Sequence, residues 1–192
     1  VLERTGVKMT HPQGVELLAG AGARVQGDRV RIPSWMVEDA IRKAPSRIVL
    51  GNRDGRRSVF LEGDTSWFGP SLDCIDYLDP VTDERSRFTS EHCRITATLA
   101  DALPNFDWTM IIGMADDQPP DIADRVIVRQ ALTYCEKPLV FCCKDTNSER
   151  DIYEMALLIC GGQDNFEKAP TIVQYSEPIS PLEYYDPAVD KM

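Results

Sequence analysis

PLVFCCKD at Pro138–Asp145, SERDIYEMALLIC at Ser148–Cys160 and APTIVQYSEPISPL at Ala169–Leu182 form the stretch that decides the fold. The first and last pieces are short apolar runs with polar tails, the pattern of parallel strands buried on both faces. The middle piece has helical spacing. Ser148 reads as its N-cap, Glu149 lies in the first turn, and Gly161-Gly162 supplies the stop. The expectation is a β-α-β unit, with its ligand side at the carboxyl ends of the strands. Those ends carry Cys142, Cys143, Lys144 and Asp145, then Gln174, Ser176 and Glu177. Alternation along the last strand sets Gln174 and Ser176 on one face and Val173 and Tyr175 on the other. Cys142 and Lys144 share a face in the same way.

Composition bounds the function. With 192 residues the chain can bury one sizeable core, or one core with an appendage. A formal net charge of -10 argues against nucleic-acid and acidic-membrane partners. No run is long and apolar enough to span a bilayer, and no signal peptide is visible. The first residue is Val1, and LERTGV reads as the end of an amphipathic helix, so a preceding segment is expected. The six cysteines include no C-x-x-C pair and there are two histidines, His11 and His92. Reduced thiols in a cytoplasmic protein are the simpler reading of that pattern.

Outward from the central stretch, residues 1–62 read as a small α+β appendage. LLAGAGARV ends a helix at glycine, GDRVRIP is a short edge or hairpin strand, and SWMVEDAIRKAP is a helix capped by Ser34. RIVLGNRDGRRSVFLEG reads as two strands about an N-R-D-G turn, with Arg53, Arg56 and Arg57 in solvent. From residue 63 the pattern changes. Strands are expected around 67–77, 107–114, 138–144 and 171–176, separated by three helices, the first of them capped by Ser90. PVTDERSRF reads as a polar turn, and DPAVDKM as the start of a further helix. A doubly wound sheet and a (β/α)8 barrel both accommodate this order. A barrel needs about 250 residues, and residues 63–192 amount to roughly half of that. The expected fold is therefore α/β, the first half of a TIM barrel after a small appendage, in an incomplete chain.

The run YLDPVTDERSRFTSEHCRITATLADALPNFDW resembles the trimethylamine methyltransferase family. Asp79, Pro80, Thr82, Glu84 and Arg85 match a D-P-x-T-x-E-R segment, and Asp101 to Asn105 match D-A-L-P-N. Lys137-Pro138, Gly161-Gly162 and EPISPL follow in the family's order, and TGV, RVRIP and KAPS match its start. The resemblance covers essentially the whole chain. It implies a TIM-barrel enzyme that moves a methyl group from a trimethylamine-type or betaine-type donor to the Co(I) corrinoid of a separate corrinoid protein. It also implies a homo-oligomer at full length. In the trimethylamine enzymes a pyrrolysine lies in a part of the sequence beyond Met192, and the catalytic residues are expected there too. The alternative is a non-catalytic barrel-derived module that binds quaternary amines or docks a corrinoid protein.

A corrinoid cofactor brings its own nucleophile, so the protein must hold the amine, align its C–N bond and keep water out. A quaternary ammonium has no N–H, and aromatic faces and carboxylates suit it best. Trp67, Phe68, Tyr77 and Tyr175 are candidates for such a cage, each with core packing as the competing reading. Gln174 and Ser176 are expected to point inward near the barrel mouth. Glu177 at the rim meets either the substrate cation or a helix terminus. Lys144 either holds a donor's carboxylate or pairs with Asp145. Cys142 shares its face, and Asp116 and Asp117 either attract a cation or stay solvated. A zinc route is disfavoured because Cys142 and Cys143 point to opposite faces and His92 begins a helix.

Overall fold

The computed structural model describes every residue of the chain except Asp73. The chain divides into two compact units, Val1–Pro45 with Ser176–Met192, and Ser46–Tyr175. The boundary expected at residue 62 is not where the chain divides. The hairpin from 48 to 61 belongs with the larger unit, and the last residues of the chain belong with the first.

The first unit begins with β1 (Val7–Met9), α1 (Pro12–Gly20), the hairpin β2 (Arg24–Gln26) and β3 (Arg29–Arg31), and α2 (Ser34–Lys43). Residues 2–5 form a turn rather than the end of a helix, closed by the Thr5 amide on the Val1 carbonyl at 2.8 Å. Pro33, not Ser34, occupies the N-cap position of α2, and Ser34 donates its hydroxyl to Glu3.

The larger unit contains β4 (Ile48–Gly51), β5 (Arg57–Leu61), β6 (Asp76–Leu78), β7 (Arg85–Arg87), α3 (Ser90–Ala102), β8 (Thr109–Met110), α4 (Ala123–Tyr134), β9 (Leu139–Phe141), α5 (Thr146–Cys160), α6 (Gln163–Lys168) and β10 (Ile172–Gln174). Its centre is a parallel sheet in the order β10-β9-β8, so strands that follow one another in sequence are neighbours in space. A parallel bridge from Cys74 to Gly113 adds one further position beyond β8. The strand expected over 67–77 contributes only that bridge, because from Asp76 the chain turns into an antiparallel hairpin of β6 with β7. The class is mixed α/β as expected, and no closed barrel forms among the described residues.

The core lies between the sheet and its helices. Leu139 and Phe141 of β9 pack against Ile127, Val128 and Leu132 of α4 and Ile152 of α5, with Phe88 and Cys93 in the same cluster. The buried side of α4 repeats at 127, 128, 131 and 132, the spacing of one helical face. Helix ends are set by local chemistry, one residue or more away from the expected caps. Asp145 caps α5 through the Ser148 amide at 2.9 Å, and Thr89 caps α3 in a reciprocal pair with His92. The Gly161 stop is as expected, with φ +77 where a side chain is disfavoured.

The family-like segments are joints of this frame. Asp79 accepts the amides of Val81 (2.8 Å) and Thr82 (3.0 Å), Asp83 takes φ +58, and Arg85 pairs with Asp76 across the hairpin. Asp101 accepts the Glu136 amide at 2.8 Å, while Lys137 donates to the carbonyls of Ala100 and Leu103, both at 2.7 Å. The end of α3 is thus tied to the entry of β9.

The chain then returns to the first unit as β11 (Glu183–Tyr184) and α7 (Asp186–Asp190). There β11 pairs parallel to β1, completing a mixed sheet in the order β11-β1-β3-β2 around buried Val7, Met9 and Val30. Lys8 and Glu183 reinforce the pairing at 2.8 Å.

Candidate functional site

The two ends of the parallel sheet differ. Its amino end is covered by the β4–β5 hairpin. Arg53 donates to the carbonyls of Leu132 (2.9 Å) and Thr133 (3.1 Å) at the end of α4, and Arg57 to Lys168 at the end of α6 (2.9 Å). Arg53 is a half-buried helix cap rather than the solvated turn residue expected, because the hairpin lies against helix carboxyl ends that attract cations; Arg56 and Arg57 are exposed as expected, Arg57 while also reaching the end of α6. Gly51 makes this approach possible, since a Cβ there would stand 2.4 Å from that of Ala169.

Trp67 and Phe68 are also at this amino end. Trp67 donates its indole N–H to the Phe60 carbonyl at 2.9 Å, and Phe68 exchanges hydrogen bonds with Asp107 at the entry of β8. Because Phe68 is bonded to Asp107 just before β8, while Cys74 bridges in parallel to Gly113 just after it, Trp67 and Phe68 sit at the start of that strand, away from the ligand side. Tyr77 stacks on His92, with ring centroids 3.9 Å apart and planes 8° apart. The expected cage of Trp67, Phe68, Tyr77 and Tyr175 does not assemble, and among the described residues no aromatic ring lines the cleft described next.

At the carboxyl end a cleft of about 640 Å³ opens between the strand ends, the first turn of α4 and the β6–β7 hairpin. Ile75, Ile111, Met114 and Cys142 give it apolar walls, and Asp116, Asp124, Lys144 and Arg87 bring charge to it. Cys142 and Lys144 are thus on the expected side. Cys143 also borders the cleft, and it is buried in the core cluster with Phe141.

Asp124 is engaged by two backbone amides and faces the Arg125 guanidinium at 3.6 Å. Its carboxylate accepts the Arg125 amide at 2.8 Å and the Lys144 amide at 3.0 Å, and so joins the start of α4 to the end of β9. Lys144 pairs with Asp121 on the lip of the cleft, not with Asp145 as expected, because Asp145 is engaged in capping α5. The pairing lifts the Lys144 ammonium above the usual lysine range and lowers the Asp121 carboxyl. Asp117 turns away from the cleft to accept the amide and hydroxyl of Ser90, at 2.8 and 2.7 Å. Among the described residues no three His, Cys, Asp or Glu side chains converge as metal ligands.

Gln174 departs from its expected face. It pairs in register with Phe141, and Ile172 with Leu139, so both look toward the helices. Its amide reaches Cys143, and it borders a separate pocket of about 470 Å³ formed with α5. Ser176 and Glu177 belong to the first unit, where the Ser176 hydroxyl approaches the Ala188 carbonyl at 3.5 Å. Sequence reasoning missed Asp124 and Arg87. The signal for Asp124 was an acidic residue in the first turn of a helix, directly after a β-strand loop. Arg87 had none, because the hairpin that carries it was read as a turn.

The profile of the trimethylamine methyltransferase family matches residues 1–192. The chain is 27% identical over 185 residues to the trimethylamine methyltransferase MttB of Desulfitobacterium hafniense strain DSM 10664 / DCB-2, covering 95% of this chain and 37% of that protein. It is 24% identical over 188 residues to the glycine betaine methyltransferase of Desulfitobacterium hafniense strain Y51, covering 96% of this chain and 38% of that protein. The chain spans less than two fifths of the length of either relative. With the profile matched from first residue to last, the chain belongs to the trimethylamine methyltransferase family.

Proposed function

We propose that this chain is part of an enzyme that transfers a methyl group from a tertiary or quaternary methylated amine to the Co(I) corrinoid of a separate corrinoid protein. The carrying observation is the cleft at the carboxyl ends of the parallel strands, apolar in its walls and bordered by Asp116 and Asp124. Family membership and the two named relatives support the donor class. The strand order β10-β9-β8, with no reversal, supports reading the sheet as an arc of a (β/α)8 barrel. In that reading the cleft belongs to the barrel's mouth.

The chemistry asked of these residues is modest. Reduced corrinoid supplies the nucleophile when its protein is docked. The cleft's side chains suit the amine instead: methyl groups of a quaternary nitrogen pack on Ile75, Ile111 and Met114, and carboxylates offset the positive charge. As the C–N bond breaks, the electron pair stays on nitrogen and the amine loses its charge. Attraction to Asp116 and Asp124 therefore weakens along the reaction, so these carboxylates serve binding and orientation rather than rate. A quaternary donor leaves as a neutral amine without a proton, whereas a tertiary donor needs one.

The test uses the full-length enzyme with reduced corrinoid protein and candidate methylamines, and follows alkylation of cobalt by absorbance. Alkylation by trimethylamine or glycine betaine is the expected result. If ligands raise the thermal midpoint but no donor alkylates cobalt, the non-catalytic binding module replaces the enzyme.

A further inference from the structure

The charges around the cleft are not of one sign. Asp116 and Asp124 stand among apolar walls, while Lys144 reaches from the end of β9 to a lip outside them. What Lys144 meets there is itself a carboxylate, that of Asp121, whose side chain is 85% exposed. The other cation of the cleft, Arg87, is held differently. It shares Asp76 with Arg85 across the β6–β7 hairpin, where Asp76 is only 21% exposed.

We infer that Lys144 is the residue that reads a carboxylate on the donor, with Asp121 occupying its place until a zwitterionic quaternary ammonium carboxylate displaces it. The inference rests on the methyl-donor reading above and narrows its substrate class. Three observations carry it. The lysine ammonium lies beside the apolar walls that suit the methylated nitrogen. A carboxylate already sits on it, so the geometry for one exists. That carboxylate is exposed, so exchanging it for a ligand's carboxylate costs little, whereas displacing the more enclosed Asp76 from Arg87 costs more. A plain methylammonium has nothing to offer Lys144 and leaves the pair closed. A zwitterion places opposite charges a few bonds apart, matching a cleft with carboxylates inside and a cation at its edge.

Calorimetry on the full-length protein, with glycine betaine and tetramethylammonium as probes, tests this. Lys144→Met is expected to weaken glycine betaine about fivefold and leave tetramethylammonium unchanged. Asp121→Asn is expected to tighten glycine betaine a few-fold by releasing Lys144. The inference is overturned if Lys144→Met affects both probes alike or neither, if Arg87→Met takes the betaine-specific loss instead, or if wild type binds neither probe. The two readings separate cleanly. Lys144-dependent betaine binding without cobalt alkylation removes the methyl transfer and keeps the lysine's role. Alkylation with betaine affinity indifferent to Lys144 does the reverse.

Discussion

Replacing Gly113 by alanine should destabilise the larger unit, although glycine-to-alanine changes in extended backbone ordinarily help. Gly113 follows β8, where it bridges to Cys74. A Cβ there would stand 2.5 Å from two ring carbons of Phe88 and 2.7 Å from the Cys74 carbonyl oxygen. Phe88 is 1% exposed and backed by the edge of His92, with centroids 5.6 Å apart, so the ring cannot swing away freely. Alanine gains about 0.4–1 kcal/mol by restricting the unfolded chain. Overpacking a filled core costs about 1–3 kcal/mol, and here one of the obstructing atoms is backbone. The cost wins, and a net loss of about 1–2 kcal/mol is expected. Urea denaturation of the full protein measures it. Phe88→Leu should cost less in the Gly113→Ala background than alone, since the smaller side chain vacates the space the methyl needs. A neutral or stabilising Gly113→Ala, or strict additivity with Phe88→Leu, would refute the reasoning. Because Met114, Ala115 and Asp116 follow directly into the cleft, ligand affinity should fall along with stability.

Ser148 is buried in the first turn of α5, and its hydroxyl meets no partner among the described residues. Ser148→Ala should therefore be neutral or stabilise by up to about 1 kcal/mol in the same urea titration. Acid should destabilise the fold. The Ser148 amide holds the Asp145 carboxyl below the usual range, the amides of Thr82 and Val81 do so for Asp79, and Lys144 does so for Asp121. A lowered folded pKa means that the native state binds fewer protons than the unfolded chain. This stability is complete above the unfolded value of about 4 and is lost as pH falls through the folded values. Urea midpoints between pH 6 and pH 3 should fall accordingly, and Asp145→Asn should flatten part of that slope while keeping the cap. Burial pushes the Cys93 thiol up to about 12 and that of Cys135 up to about 11, whereas Cys74 is exposed. At pH 8 iodoacetamide should label Cys74 first and reach Cys93 on the order of a thousandfold more slowly. Mass spectrometry of a labelling time course reads the order.

What the sequence determined by itself was local. Short apolar runs with a helical segment and a double glycine between them gave β9, α5 and β10, because spacing and backbone freedom act over a few residues. The N-R-D-G turn between β4 and β5 was legible for the same reason. The choice of cap was not: Asp145 and Ser148 offer similar oxygens three positions apart, and packing of Ile152 and Ala156 fixes which one begins the helix. Alternation likewise told that Gln174 and Val173 oppose each other, without saying which looks inward. The register of Ile172 against Leu139 decided that, by carrying Gln174 to the helix side with Phe141. The placement of Trp67 and Phe68 at the closed end, the ion pair of Lys144 with Asp121, and the pairing of β11 with β1 also came from tertiary structure. Each depends on surfaces brought together from distant parts of the chain, and a periodic pattern carries no information about which distant surface will arrive.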